Sequence, residues 1–283
     1  MVLVTLLWSL AGVVTRHLEA ARSFEVTFWR SAFNGAVLAL VLTALRGAAL
    51  WRNVWQAPRI VWFSGLCWSV MFTAFMVAMT LTSVANVLVT MALGPMITAL
   101  FSRFFLQRQL PWRTWGAIAL AGLGIAWMFG SELNAGTSLI GVLVACAVPL
   151  AGALNLTLLQ KAGQVDGDAA PDMLPAVMLG ALLSAMYTLP LAWPMQASGH
   201  DLGLLALLGA VQLALPCLLM VRLSKILSAP EIALLALLEV LFGVAWAWLG
   251  AGEQPSSGAL FGGALVLLAL LANELLGMRR RIA

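Results

Sequence analysis

Residues 228–262 read SAPEIALLALLEVLFGVAWAWLGAGEQPSSGALFG. The segment opens on Ser228-Ala-Pro-Glu231, a helix-start signal. Ser228 is predicted to cap, Pro230 suits a first turn, and Glu231 stands three residues on, as in a capping box. About twenty mostly apolar residues follow, long enough to cross a bilayer. A Gly/Pro/Ser turn carrying Glu253 then leads into a second apolar run, and one carboxylate, Glu239, sits inside the first. The same design occurs at residues 83–117, SVANVLVTMALGPMITALFSRFFLQRQLPWRTWGA. Shifted by 145 positions, Ser228 falls on Ser83, Glu231 on Asn86, Glu239 on Gly94 and Gln254 on Gln109. Identities are few, but cap, long apolar helix, polar turn and small-residue helix recur in order, which marks an internal repeat.

Composition decides the class. Apolar residues make up 63% of the 283 and charged residues 9%, with mean hydropathy +1.01. A soluble chain of this length cannot hide so much apolar surface, so an all-α integral membrane protein is expected. The net charge of +4 is no nucleic-acid footprint, because the cations are spread through short loops. Cys67, Cys146 and Cys217 lie inside apolar runs, with no disulfide framework or metal spacing. The N-terminus lacks a basic region and cleavage site, and is read as a first span.

Ten spans are predicted, near 2–18, 24–45, 59–79, 84–105, 112–130, 138–160, 173–194, 202–222, 230–250 and 256–276. The first is short: either Arg16 and His17 snorkel, or a longer natural N-terminus precedes it. With the N-terminus inside, 12 of the 15 Lys and Arg fall on the cytoplasmic side, leaving Arg16, Arg22 and Arg30 outside. That split sets both termini in the cytoplasm and the loops 131–137 and 195–201 outside. Five helices per half is odd, so the halves, 1–130 and 131–283, have opposite orientation. They are expected to form one membrane domain with a site near the midplane. Trp8-Ser-Leu-Ala-Gly12 lies over Val148-Pro-Leu-Ala-Gly152 at an offset of 140, bringing Thr15 onto Asn155. Asp166, Asp168 and Asp172, in and beside the link Gly163–Pro171, are spaced faintly like a calcium loop, but the final Glu is lacking and the link reads as flexible.

Residues 83–130 and 228–276 resemble the drug/metabolite transporter superfamily, EamA type. The resemblance rests on Pro95 partway along the fourth helix, Glu239 in the ninth, Glu253 after it, and Arg30 early in the second. Two positions depart: Val240 replaces the family's proline after the glutamate, and Gln107-Arg108-Gln109 stands where a glutamate is usual. The resemblance implies ten helices in two inverted five-helix halves and export of amino acids or similar metabolites, as in YddG-type exporters of aromatic amino acids and paraquat. Sugar-phosphate carriers share the fold, but no pair of intramembrane Lys/Arg is visible to anchor phosphate.

Glu239 is the sharpest signal. A mid-helix charge costs roughly 2.5–3.5 kcal/mol on insertion scales and faces a cavity or a partner. At 1.5 Å per residue it lies about 12 Å along the helix from Glu231. It is read as a proton-coupling group or the partner of a substrate ammonium, against a purely structural interhelical hydrogen bond. Helical spacing groups Leu235, Glu239, Phe242 and Trp246, and repeat offset groups Thr90, Gly94, Pro95 and Phe101. Trp8 and Ser9, Trp68 and Phe72, Asn86, Asn155 and Gln212 are candidates to complete the pocket. Any single aromatic is more often lipid-facing, whereas buried amides need partners. Arg30 is expected to snorkel outward or pair with Glu25, a substrate-carboxylate role being the minority reading. Pro95, Pro149 and Pro216 break helix hydrogen bonds and are candidate hinges. Thirteen Met and twelve Trp suggest an adaptable lining.

No GxSxG, HExxH or P-loop is present, so neither an enzyme nor a nucleotide-driven pump is expected, and no cofactor is assigned. The sequence reads as a secondary exporter of small amphipathic metabolites, foremost amino acids, by alternating access in a bacterial inner membrane. Its partners are a small-molecule substrate and the lipid bilayer. The rivals are an exporter of cationic drugs such as paraquat, using Glu239 and aromatic faces, and a non-transporting scaffold or intramembrane enzyme. Oligomeric state is left open.

Overall fold

A computed structural model describes residues 1–107, 111–132, 139–164 and 171–252, together with scattered positions from 254 to 272. Among the described residues it is all helical. The helices are α1 (Val2–Trp8), α2 (Leu10–Thr15), α3 (Ser23–Arg46), α4 (Ala49–Trp55), α5 (Arg59–Leu81), α6 (Val84–Met91) and α7 (Gly94–Leu106). There follow α8 (Trp112–Glu132), α9 (Leu139–Ala162), α10 (Leu174–Thr188), α11 (Gly199–Leu207), a π-helical segment Leu208–Ala214, α12 (Leu215–Leu223), α13 (Ala229–Ala236) and α14 (Leu238–Ala251). The described residues between 257 and 272 are helical.

Among the described residues, six helical stretches are long and apolar enough to cross a membrane: Phe24–Arg46, Arg59–Leu81, Ile140–Ala162, Leu174–Leu191, Gly199–Leu223 and Ala229–Ala251. Val2–Thr15, Gly94–Leu106 and Trp115–Gly124 are shorter apolar helices. In lipid every backbone polar group must be satisfied within the segment, which helices achieve. Leu40, Phe63, Leu143 and Leu249 are among many large apolar side chains left on the outside, as a bilayer-facing surface requires.

The predicted capping box is formed. Glu231 Oε2 accepts the Ser228 backbone N–H at 2.9 Å, and Pro230 sits in the first turn. The first, fourth and ninth predicted spans are not continuous helices. They break at Ser9, at Ala92–Leu93 and at Leu237. At the last two breaks the bonds tighten from i→i+4 to i→i+3: Leu93 N–H to Thr90 C=O, and Leu237 N–H to Leu234 C=O. The breaks obey the repeat. Adding 145 to the bounds of α6, 84 and 91, gives those of α13, 229 and 236, and position 237 falls on 92.

The strongest packing interleaves the halves. α5 packs on α9 and α10, α3 on α10 and the π-helical segment, and α7 on α9 and α13. Glycine makes the closest of these approaches possible. A Cβ on Gly180 would lie 2.3 Å from Trp68 Cβ, so α5 and α10 meet there backbone to backbone. Ser184 of α10 hydrogen-bonds Ser31 of α3 at 2.9 Å and Thr73 of α5 at 2.8 Å, which adds a polar lock to the same crossing.

The loops are tied at two opposite ends. At the end where α5 finishes, Arg16 donates to the carbonyls of Met79 and Thr82, both at 3.2 Å. There Asp201 accepts the N–H groups of Glu19, Ala20 and Ala21 at 2.9–3.0 Å, and Glu25 accepts those of Gln196 and Ala197. At the end where α5 begins, Arg46 pairs with Asp172. At the end of α9, Gln160 donates to the carbonyls of Ser224 and Leu227. Asp172 is thereby an ion-pair partner, and no metal-holding cluster of His, Cys, Asp or Glu occurs among the described residues.

Candidate functional site

The helix breaks surround a cavity of about 140 Å³. Trp8 lies at the end of α1, Gly94 and Pro95 begin α7, and Leu237 and Glu239 flank the break between α13 and α14. Pro149 and Gly152 of α9 lie opposite, and Trp68, Met71, Phe72 and Phe75 of α5 supply an aromatic and thioether wall. The interior is mainly apolar, and its charged side chains are Arg30 and Glu239. The repeat mates Glu239 and Gly94 both reach it, as do Pro149 and Trp8 from elements that the offset of 140 relates. Placing breaks here shapes the site, since irregular backbone at membrane depth is tolerated only where protein or a cavity receives it.

Arg30 is 2% exposed, and Glu239 5%. The expectation that Arg30 snorkels outward or pairs with Glu25 is overturned. Glu25 Oε1 accepts the N–H groups of Gln196 and Ala197, and Arg30 turns inward to the cavity. Its Nη2 donates to Gln212 Oε1 at 2.8 Å, and the guanidinium carbon lies 5.6 Å from the centre of the Phe75 ring. Gln212 Nε2 in turn donates to the Trp8 carbonyl at 2.9 Å, so α1, α3 and the π-helical segment are joined through one amide. Close helix contact makes this possible: a Cβ on Gly209 would stand 2.7 Å from the Arg30 carbonyl oxygen and 2.8 Å from the Asn34 nitrogen. The charges of Arg30 and Glu239 attract each other, but no ion pair within 4.0 Å joins them.

Of the residues singled out from the sequence, Trp8, Trp68, Phe72, Gly94, Gln212 and Glu239 line the cavity, together with Pro95 and Pro149. Pro216 lies buried in the first turn of α12, directly after the π-helical segment. Six do not line it. Ser9 is buried and donates to the Leu6 carbonyl; Asn86 bonds Thr82, and Thr90 donates to the Asn86 carbonyl. Asn155 accepts from Ser64 at 2.6 Å between α9 and α5. Leu235 is half-buried and Trp246 is 36% exposed. The break at Leu237 explains Leu235: grouping it with Glu239 assumes a continuous 3.6-residue period across the break, whereas the cavity receives Ala236, Leu237 and Val240. Trp246 shares the continuous helix α14 with Glu239 and lies seven residues, about 10 Å, further along it, past the cavity wall. Glu253, Arg108, Gln109, the loop 133–138 and the linker positions 165–170 lie outside the described residues.

Met71, Phe75, Cys217 and Met220 line the cavity without being legible from the sequence, and Arg30 lines it as only its minority reading allows. For Arg30 the signal was present, since an ionisable residue within a span marks a pathway or site by default. The π-helical segment carried no such signal, although such bulges recur at functional positions.

The family model of EamA-like transporters matches residues 1–130 and 139–273. The chain belongs to the EamA-like transporter family. It is therefore a membrane transporter, built from two repeats. A solved crystal structure with 20% sequence identity has the same fold, with a TM-score of 0.74 over 98% of this chain and 96% of its own. No curated protein matches the sequence.

Proposed function

We propose that the protein is a secondary exporter of small amphipathic metabolites, foremost neutral and hydrophobic amino acids, working by alternating access around the cavity beside Glu239. The observation that carries this reading is an apolar cavity at the helix breaks of both repeats, with a few convergent polar groups. Family repeats that cross at a midplane site favour rocking of one set of helices against the other. Pro95, Pro149 and Pro216 are the candidate hinges, and Glu239 is the ammonium partner or proton-coupling group.

The proposal includes ten spans in two five-helix halves of opposite orientation, with both termini in the cytoplasm of a bacterial inner membrane. The loop ties support it. Arg16 with Thr82 and Asp201 with Ala20 join segments that the charge split assigns to the outside, whereas Arg46 with Asp172 and Gln160 with Leu227 join segments assigned to the inside. Export of cationic drugs fits less well, because Arg30 faces the same cavity and repels a cation. The test is flux in sealed proteoliposomes with radiolabelled leucine, phenylalanine and alanine, with and without a pH gradient. Saturable, protein-dependent flux of at least one of them supports the reading; flux of paraquat alone overturns it.

A further inference from the structure

Arg30 is the feature that the transport reading leaves unexplained. Its Nε and Nη1 have no hydrogen-bond partner although the side chain is 2% exposed. Burying a guanidinium without a full set of acceptors costs several kcal/mol, and an arginine cannot escape the cost by losing its proton. Glu239 does not close an ion pair with it. Yet the group is held firmly: Gln212 fixes Nη2, the Trp8 carbonyl fixes Gln212, and the Phe75 ring lies under the guanidinium. The indole N–H of Trp68, 1% exposed and also on the cavity wall, is a further unpartnered donor. Fixed, dry, unpaired donors beside an open space describe an anion site.

We infer that Arg30, oriented by Gln212, is the carboxylate anchor of the transport site, so that the substrate must carry a carboxylate, which faces Arg30, while the ammonium on the adjacent carbon turns toward Glu239. The inference rests on the transport reading for its ligand class, a zwitterion, but its anchor is testable apart from it. An amine without a carboxylate leaves Arg30 uncompensated and adds a like charge to the cavity. A carboxylate without an amine satisfies Arg30 and leaves Glu239 unused. The remaining wall of Met71, Phe72, Met91 and Met220 would take the apolar side chain.

The experiment measures ligand-induced thermal stabilisation of the full-length protein in detergent with leucine, phenylalanine, isovalerate, 3-phenylpropionate, isoamylamine and phenethylamine. The expected order is zwitterion over carboxylate over amine. Arg30→Gln should lose about 10-fold to 100-fold in affinity for every carboxylate, the scale of hydrogen bonds to a charged group, while Arg30→Lys, which keeps the charge without the planar fork, loses less. Gln212→Leu frees Arg30 from its support and should weaken carboxylates with unchanged preference among side chains. Stabilisation by isovalerate that depends on Arg30, in a protein that carries no amino acid in vesicles, would retain the anchor and refute the amino-acid reading. Amines binding best, Arg30→Gln and Arg30→Lys binding carboxylates as wild type does, or no stabilisation by any carboxylate would each overturn the inference.

Discussion

Gly209→Ala should weaken the protein through one contact. The added Cβ would stand 2.7 Å from the Arg30 carbonyl oxygen, 2.7 Å from Phe33 Cβ and 2.8 Å from the Asn34 nitrogen. Two of these are backbone atoms that cannot rotate away. Bringing them to the roughly 3.5 Å of ordinary contact requires α3 and the π-helical segment to part by about 0.8 Å. The same displacement applied to the bond from Arg30 Nη2 to Gln212 Oε1, now 2.8 Å, takes it to about 3.6 Å, outside hydrogen-bonding range. Overpacking of this kind costs about 1–3 kcal/mol, and loss of the charged hydrogen bond adds about 1.5–3 kcal/mol. The comparison variant is Gly203→Ala in α11, where a Cβ meets nothing within 4 Å. There alanine's helix propensity should stabilise by up to about 1 kcal/mol. Melting temperature in detergent and proteoliposome flux are measured for both. A Gly209→Ala protein as stable and active as the Gly203→Ala protein would refute the claim that close packing of these helices positions Arg30.

Three further outcomes are expected. Gly94→Ala should leave stability unchanged and shift flux toward smaller substrates, because its Cβ meets only Pro149 Cβ, at 3.9 Å, and projects at the cavity wall; a folding defect in that variant would contradict the placement of α7. Asp201→Ala strips the partner from the N–H groups of Glu19, Ala20 and Ala21 and should destabilise by at least about 2 kcal/mol, read as a drop in melting temperature. In a protein with Cys67, Cys146 and Cys217 replaced, a cysteine at Gly199 should label from outside intact cells and one at Asp172 only after permeabilisation. Labelling of both from the same side would sink the ten-span topology.

Much of the fold is written in local chemistry. The Ser228–Glu231 capping box follows from residue type and spacing alone, and it forms. The offset of 145 was detected from layout with few identities, yet it reproduces the bounds of α6 and α13 residue for residue. What escaped is what amphipathicity cannot report. In a bilayer both the lipid-facing and core-facing sides of a helix are apolar, so periodicity gives no phase. That is why spacing alone groups Leu235 and Trp246 with Glu239, although the break at Leu237 separates Leu235 from it and Trp246 lies about two turns further along α14. The break carries no Gly or Pro at Leu237 to announce it. The short helix α4 lies between the predicted spans, where seven residues make too brief a pattern to register. For Arg30 the sequence favours snorkelling or a pair with Glu25 over a role in the site. Its true setting depends on Gly209 and Gln212, about 180 positions away, which no local signal connects to it.

Glu239 carries the central claim. It is buried in the cavity wall, and its repeat mate Gly94, also on that wall, has no carboxylate to replace it. Glu239→Gln keeps the size and the hydrogen-bonding capacity of the side chain while removing its charge and its exchangeable proton. The decisive measurement is leucine and phenylalanine flux in proteoliposomes across external pH, paired with melting temperature in detergent, for wild type and Glu239→Gln. Normal melting with most of the flux lost, or with flux that no longer responds to pH, is the predicted result. Flux and pH response equal to wild type would contradict it and leave Glu239 as an interhelical hydrogen-bonding group.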